Sequence, residues 1–336
     1  MSDPRFIQLT TWLSDHFSLD LSPILISGDA SVRRYFRVLI NDVSYIVVDS
    51  PPKQVVLQQF IDIANAYAQV GINVPEVIAK DTQNGFMLLT DLGDTSLFSM
   101  LNIENVEDYY KTALALLSDI TKVKKTNEGD LPLYDRAFVQ RELDIFTDWL
   151  LTCHLSITLS HEQCGMLSKT FEHLVHNALE QPLVGMHRDY HCRNIMLKND
   201  ELHIIDFQDA VIGPITYDVV SLLRDCYIRW PDKLVDHLMG EHYEAIKQRG
   251  EIASHITLAQ YRRWFDLMGL QRHIKAVGIF ARLHHRDRKS AYLADIPLTL
   301  SYIRDVALSY PELAAFGSWV ELVLIPQFMD SVEQVI

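Results

Sequence analysis

A chain of 336 residues predicts one large domain or two modest ones, and its hydrophobic share of 48% is enough for a full core. The formal net charge of −14 argues against a nucleic-acid partner, which would need a basic footprint. The four cysteines (Cys153, Cys164, Cys192, Cys226) lack metal or redox spacing, no apolar run reaches the ~18 residues of a membrane span, and no secretory signal opens the chain, so free thiols in a cytoplasmic setting are expected.

Phe6, Leu9, Leu13 and Phe17 recur at helical spacing and predict a helix over 3–17. The period then changes to short β-rich runs, Ile24–Ser27, Tyr35–Ile40 and Tyr45–Val48. Gly28-Asp29-Ala30-Ser31 separates the first two, and Asn41-Asp42 reads as a tight hairpin turn between the second two. Pro51-Pro52 breaks the strand, Lys53–Val70 predicts a helix, and strands Glu76–Ala79 and Phe86–Thr90 flank a turn over Asp81–Gly85. Asp91-Leu92-Gly93-Asp94 reads as a linker. Beyond it the pattern is mostly helical, at about 104–122, 135–153, 160–179, 217–228, 231–247 and 256–285. The exception is a hairpin, Ile195–Leu197 with Leu202–Ile205, turning at Asn199-Asp200.

The most informative stretch is residues 187–194, His-Arg-Asp-Tyr-His-Cys-Arg-Asn, followed after the hairpin by Ile-Ile-Asp-Phe-Gln-Asp ending at Asp209. The spacing H-x-D-x-x-x-x-N followed by strand-Asp-Phe is the catalytic signature of the protein-kinase-like fold. Phosphoryl transfer from ATP needs an acid to accept the acceptor hydroxyl's proton, and an amide with a second acid to hold Mg²⁺ on the phosphates. Asp189 is the candidate general base, and Asn194 and Asp206 are the candidate Mg²⁺ ligands. The hairpin carries Asn194 on its leading edge and Asp206 on its trailing edge, so its turn brings both to one end. The expected fold is therefore α+β and bilobal. A small antiparallel β lobe over 1–90 and a hinge at 91–94 precede a larger helical lobe over 95–336 with the catalytic loop and acceptor site. The nucleotide is expected in the cleft between the lobes.

Other candidates carry two readings each. Asp209 contacts metal or substrate, or caps the following turn. Arg193 reaches an anionic group on the substrate, for which a planar bidentate donor is suited, or makes a surface salt bridge. Asp218 reads as an anchor beneath the catalytic loop, and His187 and Arg188 as structural. Gly28–Ser31 stands where a phosphate-binding loop belongs, with Ser31 offering its hydroxyl, but the segment also reads as an ordinary hairpin turn. The third strand lacks the lysine that pairs with ATP phosphates in protein kinases, and the following helix lacks the matching glutamate. Arg33, Arg34 and Lys53 are the nearest cations, and strand alternation lets at most one of Arg33 and Arg34 face the cleft. Asp91 and Leu92 would offer hinge backbone groups to adenine. Gln271, Arg272, His273 and Lys275 interrupt an otherwise apolar helix and read as a pocket-facing stripe or as a solvated face.

The segments HRDYHCRNIML, IIDFQDAVIGPITYDVVSLLRD and MLLTDLGD resemble the aminoglycoside/choline phosphotransferase branch of the kinase-like superfamily. SGDASVRRYFRV (27–38), VVDSPP (47–52) and RWFDLMGLQRHIKAVGIFARL (263–283) are similar to the bacterial kinases that phosphorylate N-acetylmuramate and N-acetylglucosamine at the anomeric hydroxyl. The resemblance runs from about residue 20 to 310, with one departure, Arg288, where that subgroup usually has glycine. It implies an ATP- and Mg²⁺-dependent sugar kinase of cell-wall recycling, acting on a small molecule, with no nucleic-acid, membrane or obligate protein partner. The candidate substrate set is Arg193 and Asp209, read from their positions beside the motif, with Gln271, Arg272 and His273, whose pocket-facing reading the resemblance favours. Another acceptor (an aminoglycoside, choline or homoserine) and a non-catalytic nucleotide-binding module are the alternatives.

Overall fold

The computed structural model describes residues 3–26 and 33–333. Two compact units divide the chain: residues 1–100, 125–130 and 193–209 form the first, and 101–124, 131–192 and 210–336 the second.

In the first unit, helix α1 (Pro4–Phe17) is capped by the Asp3 carboxylate, which accepts from the backbone N–H groups of Arg5 and Phe6. The strands are β1 (Ile24–Leu25), β2 (Arg34–Ile40), β3 (Val43–Asp49), β4 (Val77–Asp81) and β5 (Phe86–Thr90), in the order β1-β2-β3-β5-β4 with every neighbour antiparallel. Asn41 and Asp42 adopt φ of 51° and 65°, as a two-residue hairpin between right-twisted strands requires. That turn sets the β2–β3 register from Ile40↔Val43 to Arg34↔Asp49. One sheet face buries Phe36, Val38, Ile40, Val47 and Leu88 against Leu9 and Leu13 of α1, so a period-2 pattern meets a period-3.6 one. Gly85 (φ +77°) closes the β4–β5 turn, where a Cβ would stand 1.9 Å from the Ser50 carbonyl oxygen.

Helix α2 spans Leu57–Gln69, four residues shorter at its start than the expected helix from Lys53. The amides of Gln54 and Val55 both bond the Pro51 carbonyl, and this turn precedes the helix. The Gly28–Ser31 segment, with Ser31, lies outside the described residues. The hairpin that carries Asn194 and Asp206 at its ends, Ile195–Lys198 paired with Glu201–Ile204, belongs to this unit. The Ile204 amide bonds Asn73 O, the Leu197 amide bonds Thr95 O, and the Phe207 ring sits 4.8 Å from that of Phe60.

The second unit is helical around a two-stranded ladder, Leu183–Met186 with Val211–Pro214, which the sequence pattern did not reveal. Its long helix, Leu258–Asp287, buries most of its length. A Cβ on Gly278 would stand 2.6 Å from Ile145 O, so this glycine permits close approach to the helix Arg136–Ile145 where it passes into a π-helical segment, Phe146–His154. The helix expected over 217–228 stops at Leu223. Asp225 accepts from the amides of Tyr227 and Cys192 and draws the chain out of the helical path. Helices Ile296–Leu308 and Ile325–Glu333 follow the long helix. Among the described residues no helix is long and apolar enough to cross a membrane.

Candidate active site

In the second unit, the catalytic loop leaves the ladder strand at Met186 and is fixed at several points. The amides of His187 and Arg188 donate to the two oxygens of Asp218 at 2.7 and 3.0 Å. Just after these amides the chain turns sharply, with Arg188 at φ +78°. The Tyr190 hydroxyl donates to Ala113 O at 2.7 Å, and the Cys192 amide and thiol both approach Asp225. Asp218 thus anchors the loop, and the invisible half of that anchor in the sequence is Asp225. Burial drives the Asp218 carboxyl up to about 7, against the two amides that favour its charge.

Asp189 is half-buried in this loop. Burial opposes its charge, but the Lys275 and Arg188 cations, with His191 and His187, outweigh that and hold the carboxyl at about 2. A carboxylate kept ionised in these surroundings is equipped to accept a proton. The cations are themselves held by Glu142, 4% exposed, which accepts from Lys275 Nζ and Arg188 Nη2 at 3.0 Å each, from Gln271 Nε2 at 3.1 Å and from the Tyr134 hydroxyl at 2.5 Å. Glu142 was missed in the sequence. Its signal was position: it lies three residues after buried Val139 and beside buried Leu143, on the core face of an amphipathic helix.

The polar group on the long helix is buried rather than solvated, and it parts into separate roles. Gln271 and Lys275, one turn apart, both reach Glu142. Arg272 lies over the Tyr217 ring at 5.5 Å, and its Nη1 has no hydrogen-bond partner among the described residues. His273 turns to Arg224 O (2.9 Å) and stacks on Tyr302 at 4.6 Å, and burial drives its pKa to about 3. A step of about 100° per residue separates what the sequence read as one stripe.

In the first unit, the Asn194 amide nitrogen stands 3.4 Å from Asp206 Oδ2 across the base of the hairpin, and the Ile205 amide donates to Asn194 O. Asp206 adopts φ +63° and is exposed; its Oδ1 accepts from Gln208 Nε2 at 2.7 Å. Gln59 of α2 donates to Gln208 O, tying this turn to the sheet unit. Turned about its Cβ–Cγ bond, the Asn194 amide would set its oxygen beside the Asp206 carboxylate, a hard-oxygen donor pair that fits Mg²⁺. Asp209 is exposed, and the Arg193 guanidinium lies over the Phe98 ring at 4.8 Å.

The remaining candidates are spread along the sheet. Arg34 is engaged by Asp49, through Nε at 2.9 Å, and by Asp3, while Arg5 joins the same buried Asp49. Arg33 immediately precedes β2. The Asp91 carboxylate accepts from Arg37 at 2.6 Å, Ser44 at 2.5 Å and the Gly93 amide at 2.8 Å. Burial opposes that charge, and the Arg37 guanidinium prevails in holding the carboxyl below its usual range. Lys198 donates to Asp91 O at 2.6 Å, and Leu92 is buried.

An antiparallel five-stranded sheet with one inserted helix, an Asn–Asp hairpin and a helical unit built on the catalytic loop define an α+β fold of the kinase-like phosphotransferase class. The chain belongs to the phosphotransferase enzyme family, whose model matches residues 24–254. It is 39% identical over 328 residues to the N-acetylmuramate/N-acetylglucosamine kinase of Pseudomonas aeruginosa, covering 94% of this chain and 96% of that protein. It is 37% identical over 324 residues to the protein of the same name from Neisseria meningitidis, covering 95% and 96%. Among solved structures it is similar to the choline kinase LicA of Streptococcus pneumoniae, with a TM-score of 0.62 at 11% identity over 89% of this chain and 99% of that one, a likeness of fold.

Proposed function

We propose that this chain transfers the γ-phosphoryl group of ATP to the anomeric hydroxyl of an amino sugar, N-acetylmuramate or N-acetylglucosamine. The observation that carries the reading is Asp189, a half-buried carboxylate kept ionised by Lys275 and Arg188 and standing five residues before Asn194 in the chain. The names of relatives 37–39% identical over nearly the whole chain support the acceptor class.

In this reading the Asp189 carboxylate takes the proton of the acceptor hydroxyl as its oxygen bonds the γ-phosphorus, and the bond from that phosphorus to ADP breaks. Asn194 and Asp206 hold Mg²⁺, which when bound offsets phosphate charge. Arg33 or Arg34 supplies a cation to the phosphates in place of the absent strand lysine; Arg34 also bonds Asp49 and Asp3. Ser31 and the backbone of Asp91 and Leu92 serve the nucleotide. Arg272, with Gln271, Arg193 and Asp209, serves the acceptor; a buried guanidinium nitrogen with no hydrogen-bond partner among the described residues suits an acidic sugar. His273, bonded to Arg224 O and stacked on Tyr302, stands next to Arg272 in the same set.

The test is to incubate the protein with ATP, Mg²⁺ and, separately, N-acetylmuramate, N-acetylglucosamine, kanamycin and choline, identifying products by mass and phosphorus NMR. An acid-labile anomeric phosphate is expected with the amino sugars. Product from kanamycin or choline alone overturns the acceptor assignment. Thermal stabilisation by ATP with turnover on no acceptor favours a nucleotide-binding module.

A further inference from the structure

Three histidines of the second unit meet where two helical segments end. His154 is the last residue of the π-helical segment Phe146–His154, and His284 and His285 lie in the last turn of the long helix. One ring nitrogen from each falls within 4.8 Å of the others. His154 Nδ1 and His285 Nε2 are 3.0 Å apart, close enough that only one of them can carry a proton. His284 uses its Nδ1 on the Ser290 hydroxyl at 2.9 Å, which leaves its Nε2 to face elsewhere. A ring nitrogen fixed by a second partner is the usual state of a metal-ligating histidine. The ring of fully buried Phe328 lies 5.7 Å from that of His154, and gives the cluster an apolar floor.

We propose that His154, His284 and His285 form a binding site for a borderline transition metal, Zn²⁺ foremost, separate from the hard-oxygen pair Asn194 and Asp206. The chemistry of the donors makes the distinction. Neutral imidazoles suit Zn²⁺, Cu²⁺ or Ni²⁺, whereas Mg²⁺ takes oxygen. Three ligands with one open position match the four-coordinate preference of Zn²⁺. Zn–N bonds of ~2.0–2.1 Å in a tetrahedron place the nitrogens roughly 3.3 Å apart. The observed spacing closes to that by rotating His284 and His285, which are half-buried and exposed, while His154 stays fixed. The bound ion would join the end of the π-helical segment to the end of the long helix, replacing the hydrogen bond between His154 and His285 that now links them.

The experiment uses the untagged full-length chain in excess Mg²⁺, dialysed against Zn²⁺ and assayed for metal content, with Co²⁺ as a spectroscopic stand-in. The expected result is one tightly held equivalent, tetrahedral Co²⁺ absorption bands, and a higher Tm with Zn²⁺ present. His154→Ala and His284→Ala, each checked for folding by circular dichroism, should weaken Zn²⁺ binding at least about tenfold and remove the Tm response. The double variant H173A/H176A, which removes an exposed helical pair elsewhere, should change neither. No retained metal in the unaltered protein overturns the proposal, as does undiminished binding in both triad variants or loss confined to H173A/H176A.

Discussion

Lys275 Nζ lies 3.0 Å from Glu142 Oε1, and both side chains are almost wholly buried. Burying two charges is costly unless each is neutralised and hydrogen-bonded, and here Arg188, Gln271 and Tyr134 complete the shell around Glu142. The pair sets the charge environment of Asp189 without itself belonging to the catalytic motif.

Glu142→Ala strands Lys275 and Arg188 in a buried setting, and is expected to lower stability by roughly 3–5 kcal/mol. Urea unfolding of the variant beside the wild type measures it. A midpoint within experimental scatter of the wild type would mean that the cluster rearranges or hydrates freely.

Asp189→Asn should fold normally and lose transfer by ~10²–10⁴ in kcat. Circular dichroism together with steady-state ADP release separates the two effects. Near-normal turnover would remove Asp189 from the role of base.

The pH dependence of Asp189 has a definite sign. Its folded value of about 2 lies below its ordinary 3.8, so the stability it contributes is present above the ordinary value and disappears as pH falls through about 2. The carboxylate therefore stays ionised throughout the neutral and mildly acidic range. Lys275→Met removes the foremost cation that favours this charge, so the acid limb of kcat/KM should move to higher pH in the variant. Superimposable profiles would show that Lys275 does not act on Asp189.

Asp206→Ala should raise the Mg²⁺ concentration for half-maximal activity at least about tenfold, leaving the fold intact because the side chain is exposed. An unchanged Mg²⁺ titration would take the metal away from this residue.

Gly85→Ala places a methyl group against the Ser50 carbonyl oxygen at a backbone φ of +77°, and should destabilise the chain by more than about 1 kcal/mol. Denaturant unfolding with an unchanged slope and a lower midpoint is the expected signature.

Much of the sheet was legible because its signals are local. Asn41-Asp42 set a hairpin turn, alternation in β2 set the buried face, and Phe86–Thr90 matched its expected strand end for end. Helix ends were less legible where side chains compete for the backbone. The 217–228 helix stops early because Asp225 binds amides of its own loop and of Cys192, 33 residues away in the chain. The ladder Leu183–Met186 with Val211–Pro214 was hidden because each strand is short and its partner is remote.

The sequence alone determined the register of the hairpins, the kinase-like motif with its acid, amide and second acid, and the family to which the chain belongs, because each is written in neighbouring residues. Tertiary structure decided which charges neutralise one another. Lys275 and Glu142 meet from two different helices, Arg34 is engaged by Asp49, and the imidazoles of His154, His284 and His285 come together. Periodicity tells which face of a helix is buried, but the charge a buried group can keep depends on what the opposing element brings, and only folding brings it.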